Sequence, residues 1–319
     1  MINLIRKILR ELISTRWNIG FVVYNPRESI IKQGIKNIHW LNHDFKNRWF
    51  ADPFILRSNN EKIEVLVEEW IDEKRRGRIS KLTINRKDFS LKKISTLLEL
   101  DTHLSFPFIE RKDEKLFVIP ENCATGKLRR YIYNEKKERL ELDERWAGVN
   151  APLTDAIFIP RELSSERNLI FSTEFKKYGG ASGNRLGVYE NKNSCTYYKR
   201  IEEIHFEDNT ARSAGAIFQD NGKWIRPAQD CNKRYGHKVV FQEIKKEKTS
   251  FKLNEILRVA PSSRKWNLGI HTFNLSPDKT LGVVDGYCYR TPFLGPILSF
   301  FRFGKLLARI QPLVVRKPR

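Results

Sequence analysis

From Trp49 onwards the chain is written in short apolar runs separated by brief polar breaks. The runs are rich in Val, Ile, Phe, Tyr and Trp, and the breaks in Asn, Asp, Gly and Lys, a pattern that predicts strands and turns. Helix-forming runs are scarce in the middle of the chain. Five stretches share one layout: WFADPFILRSNNEKIEVLVEE (Trp49 to Glu69), LSFPFIERKDEKLFVIPE (Leu104 to Glu121), LTDAIFIPRELSSERNLIFSTE (Leu153 to Glu174), RSAGAIFQDNGKWIRPAQD (Arg212 to Asp230) and GIHTFNLSPDKTLGVVDG (Gly269 to Gly286). Each opens on small or polar residues before an apolar pair or Phe. Each then passes a polar turn into a second run that ends on or beside an acid: Glu69, Glu121, Glu174, Asp230 and Asp285. The starts recur about every 50 to 60 residues, the period of a repeat architecture. Further runs fill the gaps: RISKLTI, LRRYIYN and RLGVYEN. About four strands per unit is a propeller blade. One blade cannot bury both of its faces, so five must close into a ring. The predicted fold is all-β, a five-bladed β-propeller whose first strands start near Asp52, Ser105, Asp155, Ser213 and His271.

The ends are written differently. In MINLIRKILRELISTR, Ile5, Ile8, Leu9, Leu12 and Ile13 share one helical face, with Arg6, Lys7 and Arg10 off it. Near the other end, LGPILSFFRFGKLLARI carries Arg302, Lys305 and Arg309 as a basic stripe beside Phe300, Phe301, Phe303, Leu307 and Ile310. The expected organisation is therefore a lead-in segment over 1–40, the propeller over 41–290 and a basic amphipathic tail over 291–319. Such a tail would lie on an anionic membrane surface or pack against the propeller.

Charge sharpens the picture. The chain has 59 Lys and Arg against 38 Asp and Glu, a formal net charge of +21, which calls for an anionic partner. No nucleic-acid-binding motif is present, so nucleic acid is not expected. The four cysteines, Cys123, Cys195, Cys231 and Cys288, form no CxxC pair, which argues against a zinc site or a disulfide framework. Walker, Rossmann, G-x-S-x-G, H-E-x-x-H and DxD patterns are absent; no cofactor or metal is expected. With no apolar leader and no run long enough to span, the expected location is cytoplasmic, peripheral at the inner face of a membrane.

The first strand of each blade lines the central channel, so residues distant in sequence converge there. Asp52, Pro107, Asp155, Gly215 and His271 would share one depth around one pocket, or would serve there as turn and packing residues. Arg212 and Arg226 are candidates for a phosphate clamp, since guanidinium forks match phosphate oxygens; structural ion pairs with Asp155, Glu174 or Asp285 are the other reading. Trp49, Trp70, Trp224 and Trp266 could stack on sugar rings or fill the core.

The set ADPF, HLSFPF, DAIF, RSAGAIF, RPAQDC followed by Tyr235 and Gly236, HTFN and VDG resembles the N-terminal domain of the glucosamine inositolphosphorylceramide transferases, across roughly residues 45 to 290. RPAQDC with its Tyr-Gly is the most specific segment. A more distant similarity runs to five-bladed arabinanase- and xylosidase-type glycoside hydrolases. That similarity implies a general base at Asp52 and a carboxylate tuning its pKa at Asp155, but where those enzymes carry an acid in blade four this chain reads Ser213-Ala214-Gly215. The expected activity is thus transfer of a sugar from a nucleotide-sugar donor to a glycan or glycolipid acceptor, because a diphosphate leaves without a general acid. Asp52, Asp155 and His271 are the expected catalytic residues. Glu69, Glu121, Glu174, Arg212, Arg226, Gln229, Asp230 and Asp285 are the expected substrate contacts. A glycoside hydrolase or phosphorylase, with Glu121 or Glu174 as substitute acid, and a non-catalytic glycan-binding module are the alternatives.

Overall fold

A computed structural model describes residues 12–176, 180–181, 183–192, 197–247 and 250–300. The chain is a ring of five antiparallel sheets. Blade one is Arg48–Ser58, Lys62–Ile71, Arg76–Asn85 and Leu91–Leu98, in that order from the axis outward. Blade two is Ser105–Lys112, Lys115–Glu121, Tyr131–Asn134 and Arg139–Leu142. Blade three is Leu153–Phe158, Asn168–Lys176, Arg185–Asn191 and Lys199–His205, with Gly180–Ala181 as an extra pairing on its second strand. Blade four is Phe218–Asp220, Lys223–Asp230, Lys238–Lys246 and Phe251–Val259.

Blade five is built from both ends of the chain. Phe273–Leu275 and Leu281–Tyr289 supply its inner strands, and Thr15–Val23 and His39–Trp40 its outer ones. Nine residue pairs, from Thr15↔Tyr289 to Val23↔Leu281, close the ring. The expected lead-in over 1–40 is corrected accordingly: residues 15–23 and 39–40 belong to the propeller. TRWNIGFVV is an apolar strand sequence, and an open blade edge would leave its backbone groups unpaired. The expected N-terminal helix falls mostly on residues outside those described, as do Arg302, Lys305 and Arg309. A short helix, Leu294–Phe300, opens the tail.

Second strands are apolar on both faces because each blade is covered on both sides by its neighbours. Val65, Leu66 and Val67 are consecutive and all fully buried. Among the described residues no helix is long and apolar enough to cross a membrane.

One backbone device recurs at the axis. In blades one, two and three the inner pairing slips by a bulge between Ala51 and Phe54, Ser105 and Phe108, and Thr154 and Ile157. The first bulged residue takes a left-handed φ each time: Asp52 at 50°, Phe106 at 42° and Asp155 at 48°. Such bulges free a backbone N–H from the ladder and re-aim a side chain. Blade four has a glycine in this region, where Ser213 bridges Ala228. A Cβ on Gly215 would collide with the carbonyl oxygen of Phe273 in blade five. A side chain of any kind at position 215, an acid included, therefore has no room.

Candidate functional site

Every freed bulge N–H is taken by a carboxylate from the preceding blade. Asp285 of blade five accepts from Asp52 N at 3.0 Å, Asp52 of blade one accepts from Phe106 N at 3.1 Å, and Glu121 of blade two accepts from Asp155 N at 3.0 Å. Asp155 of blade three then accepts from the Gln229 side-chain amide at 3.0 Å and from Arg212 Nε at 2.6 Å, both in blade four. Asn274 of blade five completes the circle, accepting from Ala216 N and donating to the carbonyl of Pro53. Buried backbone donors need such partners, so the acids at the mouth stitch the ring as well as line it.

On one side of the mouth stands a line of three groups. Asp285 accepts the backbone N–H groups of His271 and Thr272, both at 3.1 Å, and contacts His271 Nδ1 at 2.8 Å. His271 Nε2 faces Asp52 Oδ1 at 3.3 Å. All three are at least 96% buried, with exposures of 0%, 2% and 4% for Asp285, His271 and Asp52. Burial lowers the His271 pKa, but Asp285 and Asp52 outweigh it and the net shift is upward. Burial acts to raise Asp285, yet His271 and the donated N–H groups hold it below the usual aspartate range. Asp52 goes the other way: burial, then the charges of Glu68, Asp285 and Asp155, lift it well above that range against the pull of His271.

On the other side, Arg212 grips Asp155 through Nε and Nη2, the latter at 2.5 Å, and reaches within 3.8 Å of Glu121. The Arg212 guanidinium lies 5.2 Å from the ring of Tyr235, which is half exposed over the mouth and meets His271 edge-on. Burial and the Asp155 charge raise the Glu121 pKa to about 8, with Arg212 opposing. Glu121 is therefore harder to ionise than an ordinary glutamate.

Of the expected site residues, Asp52, Asp155, His271, Glu121, Arg212, Gln229 and Asp285 come together. Four do not, and each has a reason. Glu69 is fully buried on the opposite face, paired with Arg48 and Arg78 and hydrogen-bonded by Ser80. Its neighbour Glu68 pairs with Ala51, is lifted well above the glutamate range by burial and by Glu121, and is the acid that joins the cluster. Glu174 pairs in register with Leu153 and takes Tyr189 and Arg200 as partners; Thr173 holds the inner position. In both units a one-residue offset puts the side chain on the other face. Asp230 is turned to Arg258 and Asn232. Arg226 is fully buried between blades, donating to Gln242, Ser213 and the carbonyl of Ala211, and burial draws its pKa down to about 9. It is not open to a phosphate. Arg212, by contrast, is only partly buried, its side chain 16% exposed at the mouth.

The aromatic residues sort similarly. Trp266 is buried and Trp224 packs on the core. Trp49 and Trp70 pair across blade one and stack in parallel, 5.3 Å apart at 4°. Trp17 continues them, 6.5 Å from Trp49, 4.2 Å from Tyr287 and 4.3 Å from His271. An aromatic stripe thus runs from Trp70 to the histidine of the acid line. Asp52, His271 and Asp285 also form the one group among the described residues with three ligand atoms within 4.8 Å. The imidazole already bridges both carboxylates, so a metal would have to displace its proton.

The described residues thus form a five-bladed propeller with interlocked acids, one histidine and one arginine at a single mouth. The model of the family "Glucosamine inositolphosphorylceramide transferase 1, N-terminal" matches residues 36–286, and the chain belongs to that family. Glucosamine inositolphosphorylceramide transferase 1 of Arabidopsis thaliana is 22% identical over 259 residues, 77% of this chain and 33% of that protein. The Oryza sativa subsp. japonica relative of the same name is 26% identical over 148 residues, 45% of this chain and 19% of that protein. The chain thus spans no more than about a third of these relatives. Among solved structures, a GH43_1 enzyme from Xanthomonas citri is similar with a TM-score of 0.49 and 8% identity, over 76% of this chain and 88% of that one.

Proposed function

We propose that this propeller transfers a sugar from a nucleotide sugar to a glycan or glycolipid acceptor. The observation that carries the reading, beside the family, is the Asp285–His271–Asp52 line. Asp285 fixes the imidazole with Nδ1 toward itself, and Nε2 is left facing Asp52. A carboxylate oxygen has more than one lone pair, so Asp52 can hold Phe106 N and still accept a proton from an acceptor hydroxyl. Its raised pKa makes it a stronger base than an ordinary aspartate, and an adjacent His271 stabilises the charge it carries before the transfer. The diphosphate departs unaided. Arg212, held in place by Asp155, offers its guanidinium to the charge that develops there. Trp49 and Trp70 offer flat faces for sugar rings.

Hydrolysis is a second reading with its own support: Glu121, its pKa raised by burial and by Asp155, is a candidate general acid. The two separate cleanly. Purified protein is incubated with a panel of nucleotide sugars and membrane-extracted glycolipids, and products are followed by mass spectrometry. Release of nucleoside diphosphate that depends on acceptor supports transfer. Cleavage of nitrophenyl glycosides without any transfer product overturns it in favour of hydrolysis. Glycan binding with neither turnover leaves a binding module.

The net charge of +21 supports a peripheral location at the inner face of a membrane. Co-sedimentation with anionic and neutral vesicles at low and high salt tests it, and equal recovery with both vesicle types would remove the proposal.

A further inference from the structure

Many of the described arginines meet carboxylates. Arg130 pairs with Glu110 and Asp143, and Arg258 with Asp208, Asp230 and Glu255. One cavity breaks the habit. It has a volume of about 590 Å³ and lies between blades four and five, where Leu268 and Cys288 meet the start of the C-terminal helix. Arg16, Arg234, Arg264 and Lys265 line it, and its lining contains no carboxylate. None of the four makes an ion pair with a described acid. Two of them are held by an aromatic ring: Arg16 lies 5.6 Å and Lys265 5.0 Å from the centre of Trp266. Trp266 is itself buried and pinned through its backbone N–H to Ser263. Arg16 Nε is buried without a hydrogen-bond partner. The field of this cluster reaches its surroundings, since burial and then Arg16 and Lys265 lower the pKa of nearby His43 to about 4.

Four gathered cations without counter-charges repel one another, and that repulsion is relieved by a multivalent anion. A cavity of this size suits a compact ligand, not a polymer groove. We infer that this cavity binds the diphosphate of an organic diphosphate. The inference deepens the transfer reading, on which its biological sense rests. Arg234 adjoins Tyr235, which lies over Arg212 and His271, while Leu268 packs against Trp17 and Tyr287. Leu268 is thus shared between the cavity wall and the aromatic stripe that leads to His271. The cavity also supplies the cations that Arg226, sealed between blades, cannot.

The test is binding, which needs no turnover. Inorganic pyrophosphate, uridine diphosphate and phosphatidylcholine vesicles doped with a polyprenyl diphosphate are titrated into the full chain by calorimetry. The comparison is with the triple variant Arg234→Gln, Arg264→Gln, Lys265→Gln, and with a charge-matched control, Lys32→Gln, Lys115→Gln, Lys252→Gln, placed elsewhere. Wild type and control should bind pyrophosphate saturably, and the triple variant should bind at least about tenfold more weakly, the scale of losing even one charge-assisted hydrogen bond. Tighter uridine diphosphate than pyrophosphate assigns the cavity to the donor; tighter polyprenyl diphosphate vesicles assign it to a lipid-linked acceptor. No saturable pyrophosphate binding by wild type, or equal weakening in the control, overturns the inference. A failed transfer assay with intact, triple-sensitive pyrophosphate binding would instead sink the catalytic reading and leave the site standing.

Discussion

Blade two and its neighbours, blades one and three, solve the same backbone problem with different residues. All three place a bulge at the axis with a left-handed first residue, and in all three the freed N–H finds a carboxylate. In blade two that residue is Phe106, buried against Phe54. In blades one and three it is Asp52 and Asp155. The bulge therefore does not require an acid, since a phenylalanine adopts it. The acids at 52 and 155 need a further explanation, and the two differ in what they offer. Asp155 has a full partner in Arg212. Asp52 has only a histidine at 3.3 Å and a carboxyl lifted by burial.

The strongest way to break this comparison is Asp52→Asn. Asparagine keeps an oxygen for Phe106 N, so the latch between blades one and two survives. It cannot take a proton, and activity should fall about 100-fold to 10,000-fold, the scale of a general base. Thermal unfolding should change little, because the amide keeps an acceptor for the Phe106 N–H that ties blade one to blade two. Full activity in this variant would reduce Asp52 to a latch like any other acid of the ring.

Asp155→Asn should do the reverse on stability. It leaves the Arg212 guanidinium, with its side chain only 16% exposed, against a neutral amide, a loss of about 3 kcal/mol by denaturant unfolding. Adding Arg212→Gln should restore much of that loss, since the stranded charge is removed. Equal destabilisation by Asp52→Asn and Asp155→Asn would erase the contrast between the two bulges.

The sequence made the repeat, the two bulge aspartates and His271 visible, because each sits in a short motif beside an apolar pair. It concealed Glu68 behind Glu69. Both close the same run, and which one faces the axis depends on a bulge that shifts the opposite strand. The spacing from Ala51 across the turn would have told them apart only with the bulge already known. Arg226 reads as a clamp because a guanidinium fork matches phosphate oxygens and because it lies in the RPAQDC segment; only its complete burial shows it sealed. The ring closure by Thr15–Val23 was hidden for another reason: its partner strand lies over 250 residues away, and periodicity carries no long-range pairing. Unpaired cations around Trp266 were equally illegible, since an absence of counter-charge is a property of space, not of order.

A finer test concerns the third latch. Glu121 titrates at about 8 in the folded chain against an ordinary 4.5. Between those values the folded state keeps a proton that the unfolded state has released. Stability therefore falls as pH rises across that window, by about 1.4 kcal/mol per pH unit for this group. His271 adds to the fall, because its raised pKa gives stability that is complete below about 6.5 and lost as pH climbs through the folded value. Asp285 acts at the other end, its contribution vanishing only as pH drops through a depressed aspartate value. Unfolding curves from pH 5 to pH 8 should slope downward in wild type and less steeply in Glu121→Gln, which keeps an acceptor for Asp155 N. An unchanged slope in that variant would place the proton elsewhere in the cluster.

The smallest expected effect separates the aromatic residues of the mouth from those of the core. Trp70 stacks on Trp49 and touches His103 edge-on, half-buried at the far end of the aromatic stripe, whereas Trp224 packs against the large core cluster. A sugar ring laid on the Trp70 side of this pair gains one aromatic face, about 1 kcal/mol. Trp70→Ala should therefore raise the dissociation constant for an acceptor glycan by about threefold to tenfold, which is that energy expressed as an equilibrium ratio. The rate of the chemical step should stay within about twofold, since the ring touches neither Asp52 nor His271 and binds ground and transition states alike. Trp224→Ala should leave glycan affinity alone and lower the unfolding midpoint instead. Intrinsic fluorescence titrations with acceptor glycan measure the first, and thermal melts the second. Were both variants to lose stability with glycan affinity intact, the stripe at the mouth would be a continuation of the core, and the acceptor would have to be held by the polar ring alone.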